Sequence, residues 1–265
     1  MHYDPIKDKL GHLLGSFPGG YRLLFSLLNR VFLRSWYVRR ELRRLAQSTQ
    51  PATILDAGTG FGQYTWFMRH LFPGAAITAV DVKEEYLQRL EQYWQNHSLP
   101  PHLQVADLLE LPFTEEFDLL LNVDVMEHIE DDRRVLRNFQ KALRPNGLLL
   151  LHTPALAEDA PDQPEDSFVG EHVRAGYRHS EIRAKLTEAG FSDIQITPTY
   201  RFWGGLAWRL LLQFPLWTLN SSRLWLPLLL IYWLVTFPMA QLLMAMEMIF
   251  GGRSGGCLLL TARKK

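Results

Sequence analysis

The chain has 265 residues, with 28 Lys+Arg against 28 Asp+Glu, enough for one large α/β domain or two small ones around a substantial core. The zero net charge hides a segregation: residues 1–50 balance at +6, residues 51–200 at −12 and residues 201–265 at +6. One cysteine, Cys257, excludes a disulfide framework and a multi-thiolate centre within the chain, and nine histidines without an HxH or HxxxH pair argue against structural zinc, so no metal is expected.

The N-terminal stretch MHYDPIKDKLGHLLGSFPGG lacks an unbroken apolar core with a small-residue cleavage site, which argues against a signal peptide and fits a reducing compartment. Tyr21 to Leu42 is predicted as one amphipathic helix. Arg22, Ser26, Asn29 and Arg30 share one face, and Leu23, Leu24, Leu27, Leu28 and Val31 the other. Arg34, Arg39, Arg40, Arg43 and Arg44 follow, so residues 1–50 read as a basic helical region that packs on a domain or lies on a membrane surface. Its cations alternate with Leu, Phe and Trp, which favours anionic lipid headgroups over nucleic acid, and no nucleic-acid partner is expected.

From Pro51 short apolar runs alternate with helical patterns. The runs are TILDA (53–57), AITAVD (76–81), LQVAD (103–107), FDLLLNV (117–123) and GLLLLHT (147–153); helices are predicted over about 62–71, 83–97 and 131–143, with a turn at RPNG (144–147). Such alternation means βαβ units, hence a doubly wound α/β domain that binds its ligand at the carboxyl edge of a mostly parallel sheet. An acidic, Pro-rich loop follows (155–172). Then come a helix of about 179–189 stopped by Gly190, a sixth strand SDIQITPTY, a hydrophobic section 202–250, and a last strand CLLLTARKK after GGRSGG.

Three strand tips carry the chemistry. In ILDAGTGFGQYTWFM a buried strand ends at Asp56, and Gly58, Gly60 and Gly62 precede a helix; such glycines let the main chain approach a ligand closely. Gln63 stands where a dinucleotide fingerprint needs its third small residue, so a nicotinamide loop is disfavoured. Asp81, ending the second strand, is placed to accept both hydroxyls of a ribose. Asp107, in VADLLELPF at the third tip, could take an exocyclic adenine amine, although Asp56 and Asp107 could each also be helix caps.

With these motifs and FDLLLNVDVMEHIEDDRRVLRNFQKALRPNGLLLLHTP, the sequence resembles the class I S-adenosylmethionine-dependent methyltransferases, especially the small-molecule branch that includes ubiquinone and menaquinone methyltransferases. The resemblance covers about residues 51–200 and the last strand. It implies a seven-stranded sheet whose last strand is antiparallel, with S-adenosylmethionine as cofactor. It implies that Asp56 and Gly58 to Gly62, Thr59 included, hold the methionine part, Asp81 with Val82 the ribose, Asp107 with Leu108 the adenine, and that Asn122 and Val123 line the methionine and substrate side. A base is needed only if the acceptor is protonated at neutral pH. His128 in VMEHIED is the first candidate, with His172, Tyr177 and His179 of GEHVRAGYRHSEI behind it; each could instead be structural.

The domain is thus expected at 51–201 and 252–265, interrupted by an insertion at 202–251. Leu224–Met246 contains no charged residue and is long enough to span a bilayer. An insertion that leaves and returns to one sheet edge must cross an even number of times or not at all. Its only partner, Phe202–Leu219, carries Arg209 and Pro215, and Pro227 and Pro238 are expected to interrupt the long run. A membrane-embedded helical hairpin at the cytoplasmic face is therefore expected ahead of two full spans or of a soluble lid or homodimer interface. The function expected is methylation of a lipophilic small molecule, such as a quinone precursor, isoprenoid or fatty-acid derivative. The rivals are a soluble dimeric methyltransferase and a non-catalytic membrane adaptor on a cofactor-binding fold.

Overall fold

The computed structural model describes residues 20–95, 97–160, 173–221 and 226–265. The predicted N-terminal stretch before Gly20, most of the acidic loop, His172 and part of the turn at 220–223 lie outside the described residues.

Seven strands form one sheet in the order β3-β2-β1-β4-β5-β7-β6. They are β1 (Thr53–Ala57), β2 (Ala76–Asp81), β3 (His102–Val105), β4 (Phe117–Val123), β5 (Leu143–Pro154), β6 (Phe191–Thr199) and β7 (Cys257–Lys264). Strands β1 to β5 pair in parallel, and β7 runs antiparallel between β5 and β6, as the resemblance implied. The apolar runs lack polar alternation because both faces of the sheet are covered. Leu120, Leu149 and Leu151 enter one core with Phe139 and Tyr177, whereas Leu119, Leu121, Leu148 and Leu150 enter the opposite core with Tyr37 and Met68. RPNG falls at the start of β5, where Asn146 takes φ +64°, so the predicted turn survives as an irregularity beside the register shift between Phe117 and Leu119.

The helices of the domain are α3 (Gln63–Leu71), α4 (Glu84–Trp94), α5 (Asp132–Ala142) and α6 (His179–Glu188). Ahead of them the single predicted helix is two, α1 (Gly20–Val31) and α2 (Leu33–Ser48). Phe32 breaks it by adopting extended dihedrals, which buries its ring in the cluster of Phe25, Leu90 and Trp94. Periodicity could not reveal this, since a one-residue break leaves each half amphipathic.

The insertion is a helical hairpin. Its first arm is α7 (Phe202–Trp208), a π-helical turn (Arg209–Gln213) and α8 (Phe214–Ser221); its second is the 24-residue α9 (Leu226–Ile249). Pro215 has no N–H to offer the carbonyl of Leu211, and the indole Nε1 of Trp233 donates to that oxygen across the hairpin at 3.2 Å. The hydroxyl of Tyr232 serves Leu210 O in the same way, at 3.0 Å. The prolines of α9 do not interrupt it: Pro227 lies in its first turn, and the helix runs through Pro238.

A buried ion pair fastens this hairpin to the domain. Glu247 of α9, fully buried, accepts from the backbone N–H groups of Arg201 and Gly204, from Arg201 Nε at 3.1 Å and from the Tyr37 hydroxyl at 2.9 Å. Burial opposes its charge, but these donors prevail and hold the carboxyl below its usual range. The stripe Leu229, Ala240, Leu243, Met244 and Glu247 faces the protein. Ile231, Leu234, Val235 and Leu242 are all more than 60% exposed, leaving an apolar face uncovered along most of α9. Pro227–Ile249 is long and apolar enough to cross a membrane by length and composition.

Candidate active site

The site is built at the carboxyl edge, where β1 gives way to α3. Gly58, Gly60 and Gly62 adopt φ of +83°, +53° and +76°. A Cβ on Gly58 would lie 2.5 Å from Val125 Cγ2 and one on Gly62 2.4 Å from Leu90 Cδ2, while one on Gly60 meets nothing within 4 Å. Two of the glycines therefore permit packing, and the third leaves open space at the wall of a cavity of 1440 Å³.

Of the residues predicted to hold a cofactor, Gly58, Thr59, Gly60, Asp81, Val82, Asp107, Leu108 and Val123 line this cavity. Asp81 Oδ2 accepts from Gly60 N at 2.8 Å and Oδ1 from Lys83 N at 2.9 Å, which fixes the carboxylate and leaves each oxygen further acceptor capacity. Asp107 Oδ1 caps the turn after β3 by accepting from Leu109 N at 2.8 Å, so the helix-cap reading holds there alongside a place in the cavity.

Asp56, Gly62 and Asn122 stand behind the lining. Asp56 is buried and accepts from the hydroxyls of Thr59 and Thr65 on one oxygen, at 2.9 and 2.5 Å. Burial, aided by the nearby charge of Asp81 and opposed by the two hydroxyls, raises its pKa to about 6. Asn122 is likewise buried, and its Nδ2 donates to Ala57 O at 2.7 Å, tying the tip of β4 to that of β1. Both shape the loop from behind.

His128 ends a short 3₁₀ turn (Met126–His128) after β4 and is exposed at the cavity rim. His179 opens α6 on the surface, outside the lining. Tyr177 does not reach the cavity either: it is wholly buried, donates to Met126 O at 3.3 Å, and lies beneath the cations of Arg174 and Lys185. Burial with the nearby Asp132 raises its pKa far beyond the range of a base, so its part is structural.

The structure adds residues that sequence reasoning did not single out. Asp124 follows Val123 with φ +51°, a conformation Asp tolerates at a cost. Its Oδ2 pairs with Arg34 Nη1 at 2.8 Å and its Oδ1 with Nδ1 of buried His152 at 2.5 Å, while His152 Nε2 meets the Thr199 hydroxyl at 3.1 Å. Asp124 and Arg34 both face the cavity, next to Tyr200 and Cys257. Burial raises both the Tyr200 hydroxyl and the Cys257 thiol, so neither is a ready anion, and Asp124 brings an anchored carboxylate to the same wall. Asp124 was visible in NVDVMEH at a strand tip; Arg34 and Tyr200 come from outside the motif and gave no signal. Further out the walls turn apolar, with Leu28, Phe32, Phe202, Trp208, Leu212 and Leu216, and Arg209 is the cation on the insertion side.

Residues 55–151 match the family model described as a methyltransferase domain. A protein of Mycobacterium tuberculosis described as a probable S-adenosylmethionine-dependent methyltransferase is 28% identical over 166 residues, which cover 60% of this chain and 56% of that protein. The ubiquinone biosynthesis O-methyltransferase of Rickettsia typhi is 23% identical over 130 residues, covering 49% of this chain and 52% of its own. The chain thus spans about half the length of these curated relatives. In fold it is similar to the N-methyltransferase NodS of Bradyrhizobium japonicum, a structure with S-adenosylhomocysteine, at a TM-score of 0.54 and 18% identity over 96% of this chain and 95% of that one.

The cavity fits S-adenosylmethionine. Its volume exceeds the roughly 300–1,000 Å³ of ordinary ligand pockets, so an acceptor can lie beside the cofactor. Gln63, at the first turn of α3, lines it with a buried Oε1 that has no hydrogen-bond partner among the described residues, an acceptor suited to an ammonium group.

Proposed function

We propose that this class I S-adenosylmethionine-dependent methyltransferase domain methylates a lipophilic small molecule that it draws from a membrane surface. The observation that carries the reading is the continuity of the cavity, from the glycine loop to the apolar walls supplied by α1, α7 and α8.

Bound S-adenosylmethionine supplies an activated methyl group on a sulfonium. The chain's task is then orientation and exclusion of water. The main chain at Gly60 permits close approach, Asp81 beside Val82 accepts from the ribose hydroxyls, and Asp107 with Leu108 holds the adenine. Gln63 Oε1 accepts from the ammonium. Val123 and Asp124 face the acceptor, and His128 at the rim accepts a proton where the nucleophile is a phenol or an acidic carbon. Leu28, Phe32, Leu212 and Leu216 keep water from the reacting atoms and match an apolar acceptor body. The uncovered apolar face of α9 supports a reading in which the cavity mouth opens against lipid at the cytoplasmic face of a membrane and the acceptor passes from bilayer to cavity without crossing water.

Incubating lipid extracts with methyl-labelled S-adenosylmethionine and identifying the labelled product by mass analysis tests this. A labelled hydrophobic product is expected. Label confined to water-soluble products, from a protein that forms monodisperse detergent-free dimers, overturns the membrane reading in favour of a soluble enzyme.

A further inference from the structure

Between α1, α2 and Trp66 of α3 lies a second groove, of 460 Å³. Three guanidinium groups line it, from Arg22, Arg30 and Arg39, together with Asn29 and Ser26; Trp36 and Trp66 form its walls, and among the described residues no carboxylate lines it. None of the three arginines makes an ion pair among the described residues, whereas Arg34, Arg144, Arg174 and Arg201 each do. Arg39 Nε is buried without a hydrogen-bond acceptor while its guanidinium lies 4.3 Å from the centre of the Phe67 ring. Arg43 shares that ring at 5.2 Å and adds like charge. Three unneutralised cations around one concavity, one with an unsatisfied buried donor, are relieved by an oxyanion able to accept several hydrogen bonds.

The neighbourhood selects the source of that oxyanion. Gln241 of α9 donates to the carbonyl of Arg30 at 2.7 Å, and the next residue, Leu242, belongs to the exposed apolar face. The end of the basic groove therefore adjoins the strip that the proposed function lays against lipid. Cations beside an apolar strip match the polar–apolar boundary of a bilayer, and Trp36 and Trp66 suit that depth. We infer that the Arg22–Arg30–Arg39 groove binds the phosphodiester headgroup of an anionic phospholipid and sets how the enzyme sits on a bilayer. The inference rests on the membrane reading above and adds a headgroup-specific site to it.

Vesicle flotation of the full chain tests both, using neutral phosphatidylcholine vesicles and vesicles that also contain phosphatidylglycerol. The variant is Arg22→Gln/Arg30→Gln; both positions are exposed, so the fold is retained, which thermal unfolding checks. Wild-type protein should prefer the anionic vesicles, and the double variant should lose roughly thirtyfold of that partition while binding neutral vesicles unchanged, since each cation near an anionic surface contributes on the order of a fivefold gain. Added glycerol phosphate at millimolar concentration should not displace the protein from vesicles; displacement, or preferential retention of single-stranded RNA, would assign the groove to a soluble or polymeric phosphate and overturn the lipid site. Equal binding of wild type and variant to anionic vesicles overturns the groove but leaves the membrane reading standing. Failure of the wild-type protein to bind either vesicle overturns both.

Discussion

Substituting the loop glycines one at a time should separate what the loop does for the fold from what it does for the ligand. At Gly60, with φ +53°, an alanine methyl meets nothing within 4 Å, so the cost to folding is the left-handed backbone, on the order of 1 kcal/mol. At Gly62 a similar backbone cost is joined by a Cβ 2.4 Å from Cδ2 and 2.9 Å from Cδ1 of Leu90, which is fully buried against α1. Overpacking of that kind adds about 1–3 kcal/mol, for a total of about 2–4 kcal/mol. For a domain of this size Gly60→Ala should then lower the melting temperature by about 2–4 °C and Gly62→Ala by about 5–15 °C. Binding should reverse that order. The Gly60 methyl stands in the cavity wall where the cofactor must pass, and intrusion costing about 1.5–3 kcal/mol weakens S-adenosylmethionine by about tenfold to a hundredfold. Circular dichroism melts paired with calorimetric titration of S-adenosylmethionine and S-adenosylhomocysteine read both quantities. A Gly60→Ala protein that binds like wild type would refute the claim that the main chain approaches the ligand there. Equal stability of the two variants would refute the packing argument.

Asp81→Asn should weaken S-adenosylmethionine by about tenfold or more, because a charged acceptor of hydrogen bonds becomes neutral; titration calorimetry checks it, with the melting temperature as a control for the lost grip on Gly60 N. Glu247→Ala removes the acceptor shared by Arg201, Gly204 and Tyr37 and leaves a largely buried guanidinium unpaired, so unfolding should become easier by about 3–5 kcal/mol in urea, with Glu247→Gln milder. Asp56 carries a pH signature. Its folded pKa of about 6 lies above the ordinary carboxyl value of 3.8, so the folded protein holds the proton more tightly. The associated stability is complete below about pH 4 and lost as pH rises through 6, a fall of about 3 kcal/mol that Asp56→Asn should abolish in stability measured against pH.

Most of the sheet was legible because a two-sided parallel sheet writes itself as uninterrupted apolar runs: β1, β2 and β4 have the boundaries read from TILDA, AITAVD and FDLLLNV. The order of the strands was not written there. It came from the resemblance, since antiparallel β7 between β5 and β6 is a long-range choice that no local pattern encodes. The cofactor side of the site was legible for the same reason that the strands were, namely that each acid closes an apolar run. The division of labour within it was not. Asp56 and Asp81 look alike as strand-tip carboxylates, yet Thr59 and Thr65 claim one as a buried brace while the other faces open space. The acceptor side was hardest to read, because Arg34 and Tyr200, 166 positions apart, meet at the cavity only through the packing of α2 against β6's end, where Arg34 N donates to the Tyr200 hydroxyl.

The hairpin shows how a rule of local structure can mislead and then explain. Pro215 and Pro238 argue against a long continuous helix on propensity alone. Pro238 is nevertheless carried within α9, whose buried stripe packs on the domain and ends in the Glu247 ion pair. Pro215 is accommodated by a π turn whose freed carbonyl at Leu211 finds the indole of Trp233, so that this aromatic is a structural donor inside the hairpin. The same turn carries Arg209 at its start and places it at the apolar end of the cavity. A proline that costs one backbone hydrogen bond thus frees a carbonyl that ties the two arms of the hairpin together, beside the residues that the first arm contributes to the cavity wall.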